Sequence, residues 1–412
     1  MKFPTTFAWL AGAVLTATLL LFSFTTLFSG TDGALPNPSP HPAAAPPETP
    51  FTPPATLPDT GRPTTENRIQ IAFLLDTSNS MNGLIDQAKG RLWNILGEIL
   101  KAEKNGEAPD IEVALYQYGN SSLLPQNGYI QQVSALTTDV DDISNKLFAL
   151  RTGGGDEYCG HVIRTGTDEL KWDDSDNTVK LIYIAGNESF HQGDVTAADA
   201  LASARARGIV VNTIFCGDPQ DRDASTWRTA LTPKDGDFFS INQNEEVVFI
   251  PSPQDDRLEV LNRQLNRTYI PFGTQGIARK ANQLAQDVNA GAYGKANVSS
   301  RTKFKASKKY KNVSWDLVDA AEADMARIAT EKATLPDSLR RLDDEALTAK
   351  IRIISKERTA LQKEIRTLTS QRDDFVAEAR RKDAAKDVGT FSGQINNSIK
   401  KRLVEKKYVV KE

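Results

Sequence analysis

The sequence predicts an α/β protein, a doubly wound and mostly parallel sheet, followed by an α-helical C-terminal region. Three observations predict it. The runs Ile69–Asp76, Ile111–Tyr118, Lys180–Ala185 and Ile209–Cys216 have the length and β-rich composition of buried strands. Segments of helical periodicity lie between them, and such alternation means a parallel sheet covered on both faces. After about residue 299 strand patterns stop, and helical patterns run nearly to the end of the chain.

The 412 residues leave room for two or three domains. Net charge is −3, but it is unevenly placed. From Ser299 onward 27 Lys and Arg face 18 Asp and Glu, so the tail is basic and the rest acidic. Two Cys and three His are too few for a zinc framework.

Residues 1–30 read as a signal peptide or membrane anchor. Phe7 to Phe28 carries no charge and is long enough to span a bilayer. Lys2 precedes it and no basic residue follows until Arg62, which places the remainder outside the cytoplasm. The length of the run favours a retained anchor over a cleaved signal peptide. Residues 31–66 are rich in Pro, Thr and Ala, cannot bury a core, and read as an extended linker.

Residues 67–243 hold the α/β pattern. Ile69–Asp76 is the first strand, and Leu84, Ala88, Leu92, Ile95 and Ile99 mark one face of the helix after it. Ile111–Tyr118 is a strand and Tyr129–Leu136 a weaker one. Val140–Leu150 reads as a helix. The loop Arg151–Glu157 leads into a helix ending near Trp172. Lys180–Ala185 is a strand, Thr196–Ala206 a helix closed by Gly208, and Ile209–Cys216 a strand. Ala224–Leu231 is a short helix and Asp237–Ile241 a last strand.

The first strand ends in Asp76-Thr-Ser78-Asn-Ser80, one carboxylate and two hydroxyls at the carboxyl end of a strand, where open α/β sheets bind ligands. Hard cations such as magnesium take such oxygen donors. A Ser/Asn helix cap is the alternative reading of the same residues. The order of elements together with DTSNS resembles a von Willebrand factor type A (VWA) domain of bacterial extracytoplasmic type. The resemblance implies a metal-ion-dependent adhesion site holding Mg2+ or Mn2+, with Asp76, Ser78 and Ser80 as its first segment. Its second segment falls on TGGGDEYCG, where Glu157 stands at the family's Thr position and Asp156 is a neighbouring donor. Acidic residues complementing a helix dipole are the other reading. The third falls on IAGNESF, where Gly186 stands at the Asp position and Asn187 or Glu188 supplies a donor. Cys159 and Cys216, expected at the carboxyl ends of neighbouring strands, are read as a disulfide outside the cytoplasm; two buried free thiols are the alternative.

No nucleophile has a base at recognisable spacing, and GxSxG, HExxH and P-loop patterns are absent, so the reading is a non-enzyme. Residues 244–298 read as a helical extension packed on the α/β domain, with helices over Asp255–Arg267 and Thr274–Gly294. Residues 299–412 read as a basic helical and coiled-coil region. Arg301–Lys311 is a basic run with interleaved aromatics, expected to be a solvated linker or a patch facing anionic lipid rather than a nucleic-acid site. Helices are expected over Trp315–Ala333, Ser338–Lys386 and Ile395–Tyr408. Leu347, Ile354, Leu361, Leu368 and Phe375 repeat every seven residues, with Arg358 and Arg372 interrupting the companion positions. A helix lying on the domain is the alternative to a coiled coil.

The expected function is a membrane-tethered, extracytoplasmic protein-binding module. Its cation site takes a carboxylate from a protein partner. The alternative is a structural or assembly protein that self-associates through its C-terminal helices. The expected location is the cell envelope, anchored in the inner membrane and facing the periplasm, or secreted if the N-terminal segment is cleaved.

Overall fold

Strand β1 (Arg68–Asp76) is buried along almost its whole length, because neighbours pair on both edges and helices cover both faces. Residues 67–241, 250–382 and 391–410 are described by the computed structural model of the chain. The N-terminal apolar run and the Pro-rich stretch lie outside them. Among the described residues no helix is long and apolar enough to cross a membrane.

Helix α1 (Asn82–Ile99) leads to the short β2 (Ala102–Glu103), then to β3 (Asp110–Tyr118) and β4 (Ile130–Thr137). Helices α2 (Val140–Ala149) and α3 (Cys159–Glu169) precede β5 (Val179–Gly186), followed by α4 (Ala197–Ala206), β6 (Val210–Cys216), α5 (Arg222–Ala230) and β7 (Phe238–Ile241). The sheet order is β4-β3-β1-β5-β6-β7, parallel except for the β3–β4 pair. This is the doubly wound sheet the sequence predicts, and its elements fall within a few residues of expectation.

Strand alternation divides the core. From β1, Ile69, Ile71 and Leu75 join an apolar cluster beneath α1 and α2, while Ala72 and Leu74 join a second beneath α3, α4 and α5. The two cysteines also take opposite faces, Cys216 as the last residue of β6 and Cys159 as the first of α3. Cys216 faces the first cluster and Cys159 the second, and both are buried free thiols. The expected disulfide is therefore corrected: the sheet lies between the two side chains. The Cys159 sulfur instead lies 3.6 Å from the Tyr118 hydroxyl.

The C-terminal half comprises α6 (Asp255–Arg267), α7 (Gly276–Gly291), α8 (Lys295–Lys305), α9 (Leu317–Ala323), the single turns α10 (Arg327–Thr330) and α11 (Asp337–Arg340), the long α12 (Asp344–Lys382), α13 (Phe391–Glu405) and β8 (Val409–Val410). The helix expected over Trp315–Ala333 is broken, since Asp324 at φ −151° is extended and stops α9. Helix α8 packs on α1 and α6, and α7 on α2. Helix α13 places Ile395, Ile399 and Leu403 in the core of the first sheet face. After it, β8 pairs antiparallel with β2. Tyr408, just before β8, is buried, and its hydroxyl donates to the Arg68 carbonyl at the start of β1 at 3.4 Å.

The basic run Arg301–Lys311 is corrected as well. Arg301, Phe304 and Lys305 are buried, as is Tyr310. Arg301 pairs with Asp141 of α2 at 2.5 Å and Asp287 of α7 at 3.1 Å, and lies over the Trp93 ring. Lys305 pairs with Asp287 at 2.8 Å. Through Ala306, and again at Tyr310, the run is interior to the helical half and not a solvated linker or lipid-facing patch, while Lys308 and Lys311 are exposed. From Leu347 to Leu368 the heptad of α12 likewise lies against α6, α8 and α9 of its own chain, which corrects the coiled coil there, while Phe375 is exposed. The heptad's two interrupting residues are ion-paired. Arg358 meets Asp316 at 2.6 Å and Asp319 at 2.8 Å, and Arg372 meets Asp255 at 2.7 Å.

Candidate metal centre

The site forms where β1 and β5 end beside the turn before α3. Asp76 is the last residue of β1, level with Tyr118 of β3, and has no solvent exposure. Its Oδ1 accepts the Ser78 amide at 2.7 Å, while its Oδ2 is buried and faces no fixed donor. The hydroxyls of Ser78 and Ser80 are 3.1 Å apart, and Ser80 Oγ donates to Asn187 Oδ1 at 3.0 Å. The first and third segments therefore meet directly.

Glu157 brings in the second segment. It is buried, and Gly119 shows how close it comes to Asp76. A methyl group at Gly119 would lie 2.8 Å from Asp76 Oδ1 and 2.9 Å from Glu157 Cγ, and φ there is +74°. Only glycine fits that backbone and that gap. Burial pushes Asp76 up to about 6; hydrogen bonds from a protonated Glu157 and from the Ser78 amide oppose the rise, and the charge of Glu188 adds to it. Burial, then the neighbouring Asp76 charge, pushes Glu157 up to about 9. The two carboxyls titrate as a pair, and a proton held between them offsets part of their charge.

Asp156 does not join them. It is exposed and accepts the Tyr158 hydroxyl at 3.2 Å. Glu188 is the further acid whose charge reaches Asp76 and Glu157. It is held by Gln192, whose Nε2 donates to Glu188 Oε2 at 2.7 Å and whose Oε1 accepts the Glu157 amide at 3.3 Å. Gln192 carries no signal in the sequence, because its role depends on a loop folding back.

Gly186 has a steric cause. A methyl group there would lie 2.7 Å from the Tyr118 hydroxyl and 2.9 Å from the Trp227 ring. Tyr118 donates to the Ala185 carbonyl at 3.0 Å, and Trp227 Nε1 to the Glu188 carbonyl at 2.6 Å. These two rings fill the space that an aspartate side chain at 186 would need.

The donors that converge are carboxylate, hydroxyl and amide oxygens, a set that suits a hard divalent cation. Among the described residues no group of three or more His, Cys, Asp or Glu is arranged to hold a metal, so any ion here relies on Ser and Asn oxygens as well. The fit is supported by Asp76 Oδ2, buried without a fixed donor.

Residues 70–252 match the von Willebrand factor type A domain. The chain carries a VWA domain. No curated protein matches it. Among solved structures it is similar to proximal thread matrix protein 1 from the mussel byssus, at 13% identity and TM-score 0.32, over 43% of each chain. The match therefore spans less than half of that protein. It is also similar to BatB from Bacteroides thetaiotaomicron, at 15% identity and TM-score 0.33, over 42% of this chain and 90% of that one. An aerotolerance-related membrane protein from Bacteroides fragilis matches at 16% identity and TM-score 0.29, over 42% and 92%. The VWA assignment rests on the match over residues 70–252.

Proposed function

We propose that the protein is a membrane-tethered, extracytoplasmic binding module whose VWA domain captures a protein partner through a divalent cation. The observation that carries the reading is the Asp76 carboxylate, fully buried and met by the Ser78 segment and by a second buried acid, Glu157, beside the Ser78–Ser80–Asn187 chain. A buried carboxylate is costly unless neutralised. Asp76, Glu157, Ser78, Ser80 and Asn187 would hold Mg2+ or Mn2+, and the ion supplies affinity for a carboxylate donated by the partner. Asp76 anchors the charge, Gly119 lets the two acids approach, and Gln192 holds the Glu157 loop against Glu188. The uncharged run Phe7–Phe28 and the Pro-rich stretch after it support the tether. No bond is made or broken in this reading.

The test is calorimetric titration of Mg2+ and Mn2+ into the full chain, beside Asp76→Ala. Saturable binding by the native protein and none by the variant is expected. Absence of binding by the native protein sinks the cation reading.

A further inference from the structure

A groove opens beside the cation site. Gln117, Asn120, Ser121, Lys146, Arg151 and Thr152 are among the residues that line it, and its volume is about 520 Å³. Its wall is continuous with the site. Thr77, next to Asp76, accepts the Gly153 amide at 2.9 Å and Asn120 Nδ2 at 3.4 Å through its carbonyl. Asn120 Nδ2 also donates to the Arg151 carbonyl at 3.0 Å. The Ser121 amide donates to the Gly154 carbonyl, which ties the end of β3 to the loop carrying Glu157.

The charge of the groove is one-sided. No acidic residue lines it, while Lys146 and Arg151 do. Lys146 is partly neutralised by Asp142 at 2.8 Å. Arg151 is exposed, and its Nη1 donates only to the carbonyls of Phe148, Ala149 and Leu150 at the end of α2. Among the described residues no carboxylate pairs with it. An arginine fork of this kind recognises carboxylates.

We propose that this groove is a second recognition subsite for the same partner, and that the partner presents an acidic segment with two carboxylates. One completes the shell of the cation; the other pairs with Arg151 in the groove. The inference rests on the cation reading and adds the partner's chemistry to it. Opposite charge across the contact sets register.

The experiment uses the full chain, saturating Mg2+ and synthetic glycine peptides bearing two aspartates, separated by one to four glycines. The peptides are dye-labelled and amidated, so that aspartates supply their only carboxylates. A peptide with a single aspartate is the reference, and binding is followed by fluorescence anisotropy. One spacing is expected to bind about three- to tenfold tighter than the reference, the range of an exposed to a charge-assisted pair. That ratio should return to about one in Arg151→Ala and be partly kept in Arg151→Lys. Reading the ratio within each protein separates subsite loss from general damage. No gain at any spacing, or a gain that Arg151→Ala leaves intact, overturns the groove subsite while the cation reading stands. No Mg2+ binding overturns both.

Discussion

The two halves of the chain both have apolar cores, but differ in what else their interiors hold. In the sheet half, both faces of β1 are packed with aliphatic and aromatic side chains, Ile71 and Leu75 on one and Leu74 with Phe190 and Trp227 on the other. In the helical half, the largest fully buried side chains are arginines, Arg301 and Arg358, each locked between aspartates. A hydrophobic interior needs only apolar residues at the right period. An ionic interior needs each charge matched, because an unmatched one costs several kcal/mol.

The largest way to break this comparison is Arg358→Met. It leaves Asp316 and Asp319 buried without their cation, and the expected loss is about 3–5 kcal/mol in chemical denaturation. A midpoint unchanged from the native protein would show that the helical half depends on its apolar contacts instead. In the sheet half, Leu74→Ala at a fully buried position is expected to cost about 3 kcal/mol, set by the cavity it leaves. The acidic pair at the end of β1 should also respond to pH. Asp76 and Glu157 sit above the usual carboxylate range when folded, at about 6 and 9. Between about pH 4 and 9 the folded chain therefore keeps protons that the unfolded chain has lost, and stability falls as pH rises. The contribution is complete below about pH 4. Thermal melts in chelator should show the fall, and Mg2+ should flatten it. The smallest effect is expected from Glu364→Ala, whose partner Arg257 is exposed with it at 2.6 Å; the change should stay below about 0.5 kcal/mol.

The sheet was legible because apolar period is local. Ile69–Asp76 and Lys180–Ala185 could be placed from their own residues, and so could the Asp76–Ser78–Ser80 turn. The helical interior was not. Arg301 and Lys305 read as solvated because their partners Asp141 and Asp287 lie in other helices. Arg358 and Arg372 read as heptad faults for the same reason. In the site, Glu157 was legible by position, but Gln192 was not. The cysteine pairing failed because Cys159 opens a helix on one face of the sheet while Cys216, at the end of β6, points to the other. Gly186 looked like a missing ligand, and only the positions of Tyr118 and Trp227 explain it.

The return of residues 391–410 to the first strands has a consequence for synthesis. Helix α13 covers apolar surface of the sheet, and β8 closes on β2. When the segment through β7 has emerged, that surface has no cover until about 150 further residues follow it, the stretch that separates Ile241 from Phe391. A chain truncated just before Phe391 should therefore expose this face and aggregate, which light scattering of the shortened protein would register. Burial of the part of that face beneath α13 is thus deferred until everything between β7 and α13 has been made, and a chain whose synthesis ends in that interval has a core only partly covered by α1 and α2.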